Sequence, residues 1–293
     1  MLLQEKMRSA DFSPSERIVV DFILEKQQAI QDYTTTMIAG ETYTSPSILV
    51  RISKKLGFGG YNELKKAFLE EVAYLKHHFQ NLDANLPFAS KDPAMKIAAV
   101  ITKLKEESLE DTLSLIRQDS LQKAVLYMQK KSVVKVFAVS NLTFFAEEFV
   151  HKLRHIGKKA ETYSVSNTMI QEAKMTSSDD CAVCISYSGE TPELTYVAKL
   201  LRENHVPVIA ISSVGENSLT RLADVVLRVS TRERSYSKIG AFTSLESIAL
   251  ILDILYGCFF QTDYDRHYAH KANLSKATEF RAIDNSIIQE EYV

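Results

Sequence analysis

Hydrophobic residues in the first eighty positions recur every three or four residues, the spacing of amphipathic helices. Ile18, Phe22 and Ile23 alternate with Arg17, Asp21 and Glu25 after a Ser13-Pro14 start signal. Shorter helices are predicted over Thr35–Glu41 and Pro46–Leu56, the second ended by Gly57. A longer one follows over Tyr61–His78, with Leu64, Phe68, Val72 and Leu75 on one face. No strand pattern appears in this region. Residues 81–93 lose periodicity and collect Asn, Asp, Pro and Ser, which predicts a loop. Asp92 as N-cap and Pro93 at the first helical position then predict a long helix. Its apolar side carries Ile97, Ile101, Leu104, Leu109, Leu113 and Ile116; Asp119 can cap the next helix, with Leu121, Val125 and Met128.

After Lys131 the period changes. Residues 133–139, 160–165, 181–186, 206–211 and 225–229 are short and β-branched, and helical spacing lies between them, as in 144–156 and 192–204. Strands joined by such crossovers predict a five-stranded parallel sheet covered by helices. Residues 240–260 predict a long buried helix that closes the unit, and one more helix fits the tail after Thr262.

Composition narrows the function classes. The 293 residues are 45% hydrophobic and 25% charged, enough apolar material for a real core. Thirty-five basic residues nearly cancel 37 acidic ones, which excludes a uniformly basic nucleic-acid coat but not a local basic face. Three cysteines make no disulfide framework. The N-terminus lacks the apolar stretch of a signal peptide, and the longest apolar runs fall short of a membrane span. A reduced, cytoplasmic protein without membrane contact is expected.

Within the N-terminal helical region the local charge excess falls on the short helices. Residues 43–66 hold Arg51, Lys54, Lys55, Lys65 and Lys66 against Glu63 alone. Two short helices joined by a tight turn, here Gly40 to Thr44, can set the second into a major groove. Thr34 and Ser45 can cap the two helices, and small Ala39 suits their crossing. Ile48, Leu49 and Ile52 would face inward; Ser47, Arg51, Lys54 and Lys55 would face out. The DNA-binding candidates are therefore Thr34, Ser45, Ser47, Arg51, Lys54 and Lys55, with a solvated basic face as the plainer reading.

The run Arg51-Ile52-Ser53-Lys54-Lys55-Leu56-Gly57-Phe58-Gly59-Gly60-Tyr61, followed by Glu63-Leu64-Lys65, resembles the end of the helix–turn–helix signature of RpiR-type transcriptional regulators. The resemblance implies an N-terminal helix–turn–helix domain joined to a C-terminal sugar-isomerase-like (SIS) domain. Ile48 stands where a Thr is usual, and Pro46 is unusual.

Residues 185–193, Ile-Ser-Tyr-Ser-Gly-Glu-Thr-Pro-Glu, follow an apolar strand and open a helix. The hydroxyls of Ser186, Ser188 and Thr191, the backbone around Gly189 and the helix N-terminus could converge on one anion. An ordinary strand-to-helix turn is the alternative. The motif also resembles the phosphosugar loop of SIS domains, which implies a flavodoxin-like α/β fold over residues 133–260. SIS domains of this kind carry a Gly-x-Gly-x-Ser turn after the first strand. Here Ala138-Val139-Ser140-Asn141-Leu142 replaces both glycines and the serine, leaving Asn141 and Thr143 as substitute ligand groups.

Other chemistry-bearing residues favour structural roles. Cys181 and Cys184 sit three apart in a strand and point to opposite faces, so they cannot chelate together. Cys258 lies on an apolar helix. His151 and His155 lack the carboxylate of an H-E-x-x-H motif, and His77-His78 fit a helix end. Arg228, Arg232, Arg234 and Lys238 are read as a solvated loop, or as help for an anionic ligand.

The expected organisation is an all-α helix–turn–helix domain over residues 1–80, a linker with amphipathic helices over 81–130, the SIS domain over 131–262, and a C-terminal helix and tail over 263–293. The expected function is a regulator of carbohydrate-metabolism genes that binds a double-stranded DNA operator as a homodimer or homotetramer and answers to a phosphorylated sugar, with no cofactor and no metal. Two alternatives stay open: a SIS domain that has lost its ligand and only oligomerises, and a sugar-phosphate isomerase using Glu190 or Glu193.

Overall fold

The structure is a computed structural model that describes the backbone of residues 3–78 and 82–280, and their side chains except those of residues 5 and 73–78. The expectations for Leu75, for His77-His78 and for the tail beyond residue 280 lie outside the described residues.

Five helices build the N-terminal cluster: α1 (Leu3–Ser9), α2 (Pro14–Lys26), α3 (Thr35–Glu41), α4 (Pro46–Leu56) and α5 (Tyr61–His78). A 3-10 stretch, Gln27–Asp32, links α2 to α3. Ser13 opens α2 with a reciprocal capping box: its hydroxyl accepts the Glu16 N–H, and Glu16 Oε2 accepts the Ser13 N–H at 2.9 Å. Val19, Val20, Ile23, Ile38, Leu49, Ile52, Leu64 and Phe68 form one core, while Ile18, expected inward, is more than half exposed. Helix α4 ends on Gly57, whose φ of +95° is the left-handed cap that glycine adopts without strain.

The sheet holds β1 (Val134–Ala138), β2 (Ala160–Thr162), β3 (Cys181–Ile185), β4 (Val208–Ser213) and β5 (Val225–Val229). All neighbours are parallel, in the order β2-β1-β3-β4-β5. The fold class expected from the period change is therefore what the chain adopts. Helices α6 (Ala94–Leu115), α7 (Gln118–Lys130), α8 (Leu142–His155) and α11 (Ser244–Gln261) lie on one side; α9 (Ser166–Met175) and α10 (Pro192–Glu203) lie on the other. Helix α12 (Tyr264–Thr278) packs on α8 and α11. Helix α9 is a further crossover helix between two of the predicted strands, β2 and β3.

Cys181 belongs to the core on one side of the sheet and Cys184 to the core on the other, as strand alternation requires. Burial pushes both thiols up to about 12. Among the described residues α11 is the one helix long and apolar enough to cross a membrane. Its Ile248, Ile251, Leu252, Leu255 and Phe259 are buried in the core against the sheet.

Several helix starts differ from expectation. Pro93 itself occupies the N-cap position of α6, while Asp92 accepts the Ala89 N–H and pairs with Lys96 at 2.7 Å. Arg117, not Asp119, precedes α7, and α11 begins at Ser244 rather than 240. The buried line of α6 is mostly polar: Leu104, Ser108, Asp111 and Thr112. Ser230 donates to Asp111 Oδ2 and to Thr112 Oγ1, both at 3.1 Å, so this line docks α6 on the strand end by hydrogen bonds. Leu113 is left exposed, and Ile97, Ile101 and Leu109 are only half-buried.

Candidate functional sites on helix α4 and at the carboxyl ends of the strands

Helices α3 and α4 cross with Ala39 buried between them, and Ile48, Leu49 and Ile52 fill the inner face. Thr34 caps α3, its hydroxyl accepting the Met37 N–H at 3.2 Å. Ser45 stands at the N-cap position of α4 without making a side-chain cap; its hydroxyl bonds Ser47 at 2.8 Å instead. The first N–H groups of α4 are thus left without a side-chain acceptor beside two exposed hydroxyls. Ser47, Arg51 and Lys54 are exposed along one helical stripe.

Lys55 is different. Its ammonium reaches back to α2, pairing with the buried Glu16 at 2.8 Å and donating to the Asp11 carbonyl. That hydrogen bond, helped by the Ser13 N–H, holds the Glu16 carboxyl down at about 2. Lys55 therefore clamps α4 to α2. Lys55 is exposed as its spacing predicts, but spacing places a helix face and not the reach of a long flexible side chain, so the pairing with Glu16 was not visible in it. Lys65 is likewise tied to the carbonyls of Gln31 and Tyr33.

The turn after β3 lies beside the turn after β1, because Ala138 and Ile185 are register partners at the carboxyl ends of adjacent strands. Here the strand order reverses, with β2 on one side of β1 and β3 on the other, which is where open α/β sheets bind ligands. Within the β3 turn, Ser186 Oγ lies 2.9 Å from Thr191 Oγ1 and accepts the Gly189 N–H at 3.1 Å. Ser188 Oγ accepts the Glu190 N–H at 3.2 Å. Ser186 is buried and Ser188 exposed, so Ser186 shapes the loop from beneath while Ser188 faces out. Thr191 is the N-cap residue of α10 but gives no side-chain cap, and Pro192 follows at the first helical position. The α10 N-terminus is left available to an anion.

The β1 turn keeps a glycine-like backbone without the glycine. Ser140 has φ +57°. Its carbonyl receives the Thr143 hydroxyl at 2.7 Å, so that hydroxyl is turned to its own backbone, while Asn141 stands exposed. Leu142 packs into the core at the start of α8.

Two residues of the β4 turn were not singled out by the sequence. Asn217 is buried, donates to Ser212 Oγ at 3.0 Å, and accepts the Thr220 N–H at 3.0 Å. Glu190 accepts both the N–H and the hydroxyl of Ser218. The signal was present as a polar run, Ser212-Ser213, ending the neighbouring strand.

Three of the four residues of the basic cluster are engaged rather than solvated, while Arg234 stands exposed. Arg232 pairs with Glu107 at 2.7 Å, and Lys238 with the buried Glu233 at 3.0 Å. Arg228 donates to the carbonyls of Ser213 and Gly215, and burial brings its pKa down to about 10. Burial acts to raise the pKa of Glu233. Hydrogen bonds from Ser244, Thr243 and Lys238 outweigh it and hold the carboxyl below its ordinary range. The Glu233 carboxylate thus already fills the N-terminus of α11. The rings of His151 and His155 meet edge to face with centroids 3.9 Å apart, and among the described residues no group of three metal-ligating side chains occurs.

Comparisons with known proteins agree with both halves. Residues 1–74 match the model of the rpiR-family helix-turn-helix domain, and residues 126–256 match the SIS domain. An uncharacterized HTH-type transcriptional regulator of Caldanaerobacter subterraneus subsp. tengcongensis is 24% identical, over 94% of this chain and 96% of its own. The NanR protein of Vibrio vulnificus, solved in complex with ManNAc-6P, has the same fold at a TM-score of 0.61 and 24% identity, covering 94% of this chain and 97% of its own. The sugar isomerase domain of an RpiR transcription factor from Sphaerobacter thermophilus superposes at a TM-score of 0.56 with 17% identity, over 62% of this chain and 99% of its own. With an rpiR-type reading head at one end and a SIS domain at the other, the chain belongs to the RpiR family of DNA-binding transcriptional regulators.

Proposed function

We propose that this regulator presents Ser47, Arg51 and Lys54 of α4 to operator DNA and binds a phosphorylated sugar on the 186–191 turn. Ser188, Thr191 and the α10 N-terminus would receive the phosphate, with Ser186 and Gly189 holding the turn in shape. Asn141, at the neighbouring turn, would reach the sugar. The observation that carries this reading is the arrangement of that turn: an uncapped helix N-terminus and an outward hydroxyl at the strand-order reversal. The ligand class follows from this phosphate geometry and from ManNAc-6P in the NanR structure.

A sensor rather than an isomerase fits the carboxylates. Of the two candidate bases, Glu190 is engaged by the N–H and hydroxyl of Ser218, and Glu193 stands exposed in the first turn of α10, where its charge suits the helix N-terminus. We further infer a homodimer, since two-fold pairing supplies two half-sites and α6 leaves Leu113 and three half-buried apolar residues uncovered.

The test is calorimetric titration with ManNAc-6P and a panel of hexose 6-phosphates. Binding of at least one, weakened about tenfold by Ser188→Ala, is expected for a charge-assisted hydrogen bond. No binding by the whole panel would favour a SIS domain retained only for assembly, a reading supported by Leu142 filling the core at the first turn.

A further inference from the structure

The turn between α3 and α4 holds a residue that the fold itself disfavours. Tyr43 is 98% exposed and has φ +53°. Left-handed backbone is strained for any side chain with a Cβ and is suited to glycine. The turn is closed by backbone bonds on either side, Tyr43 N–H to the Gly40 carbonyl and Thr44 N–H to the Ala39 carbonyl, neither of which uses the ring. Thr42 and Thr44 bond each other through their hydroxyls at 2.9 Å. A large aromatic side chain is therefore fixed in a strained conformation, at a tight turn, with almost none of its surface covered. Strain and exposure kept together are features of contact sites.

Its position names the contact. Tyr43 precedes α4 by three residues, and the exposed stripe Ser47, Arg51, Lys54 begins one turn later. When such a helix enters a major groove N-terminus first, the turn before it stands at the groove rim, where the phosphates run. Tyrosine is a neutral donor suited to phosphate oxygens, which fix register without reading sequence. We propose that Tyr43 is a DNA-anchoring residue whose phenol hydroxyl donates to a backbone phosphate beside the recognition helix. The proposal rests on the assignment of α4 as the DNA-reading helix.

The experiment compares Tyr43→Phe, Tyr43→Gly and Arg51→Ala in the full chain. The probes are a duplex selected by the wild-type protein from a random library and an unrelated duplex of the same length. Tyr43→Phe should weaken binding about tenfold on both duplexes while leaving the salt slope unchanged, because a neutral donor releases no counterion. Tyr43→Gly should weaken binding at least as much, yet melt no lower than wild type, since glycine accepts the backbone angle. A structural role for the ring would move stability and affinity together, and a lower melting temperature in Tyr43→Gly would overturn the proposal. So would wild-type affinity in Tyr43→Phe when Arg51→Ala is weakened, and the assignment of α4 would then stand. Loss confined to the selected duplex would overturn the phosphate contact in favour of a base. If neither Tyr43→Phe nor Arg51→Ala changes affinity, the assignment of α4 fails with it.

Discussion

Gly189 and Asn217 compete for one space: a Cβ on Gly189 would lie 2.0 Å from Cγ and Oδ1 of the Asn217 side chain. Gly189 also has φ +67°, so the position excludes a side chain twice, by contact and by backbone angle. Asn217 cannot move aside cheaply, because it is buried and held by Ser212 and Thr220. The β3 turn is thereby locked to the β4 turn. Gly189→Ala should cost about 2–4 kcal/mol, combining overpacking with the left-handed backbone. Adding Asn217→Gly should relieve the overpacking and leave roughly 1–2 kcal/mol of backbone cost, plus the cost of the lost Asn217 hydrogen bonds. A double-mutant cycle by denaturant unfolding reads the coupling, and strict additivity would show that the two residues do not press on each other.

Ser140 and Leu142 occupy one altered turn but pull in opposite directions. Ser140 sits at φ +57°, so Ser140→Gly should stabilise by up to about 1 kcal/mol once glycine's extra unfolded-state entropy is set against the relieved strain. Leu142 is part of the core, so Leu142→Ser should destabilise by about 2–4 kcal/mol, through lost apolar burial and a hydroxyl brought into an apolar site. Chemical denaturation of the two single variants checks both signs. A stabilising Leu142→Ser would mean that the side chain is not core.

What the sequence could disclose follows from which forces have a period. The strand–helix alternation after Lys131 came through because buried parallel strands must be continuously apolar, and all five are found. Gly57 marked the end of α4 because it adopts a conformation few other residues tolerate. Within the turn after β3, Ser188 and Thr191 stood out by type. Asn217 did not: Ser212 and Thr220 are local partners, but Gly189, the neighbour it locks, is brought to it by the pairing of β3 with β4. The Lys55–Glu16 pairing was hidden for a related reason: Glu16 lies 39 residues away, and a helix-face argument sees only its own helix.

The Lys55–Glu16 pair makes acid stability depend on one clamp. Glu16 is held at about 2 by the Lys55 hydrogen bond, below its ordinary value of 4.5. A carboxyl with a lowered folded-state pKa contributes stability that is fully present above 4.5 and is lost as pH falls toward 2. Lys55→Met should therefore lower the melting temperature at pH 7, and the gap to wild type should shrink across that window. Thermal melts at pH 7, 4 and 2.5 measure it. A gap that stays constant down to pH 2.5 would mean that Lys55 acts by packing alone.

The same clamp separates two lysines of one helix, Lys55 held by Glu16 and Lys54 proposed to meet DNA. Arg51 and Lys54 are exposed with no acidic partner among the described residues, whereas Lys55 is engaged. Removing one cationic side chain from a DNA phosphate should lower the slope of log K against log salt by about 0.9. Arg51→Ala and Lys54→Ala should each show that reduction while melting near the wild-type temperature. Lys55→Ala should show the reverse, a lower melting temperature with the salt slope kept. Fluorescence anisotropy on a selected duplex from 50 to 200 mM salt, roughly the range over which phosphate binding weakens most visibly, provides the measurement. A reduced slope for Lys55→Ala would require the Glu16 pair to open on DNA, and an unreduced slope for both Arg51→Ala and Lys54→Ala would remove α4 from the interface.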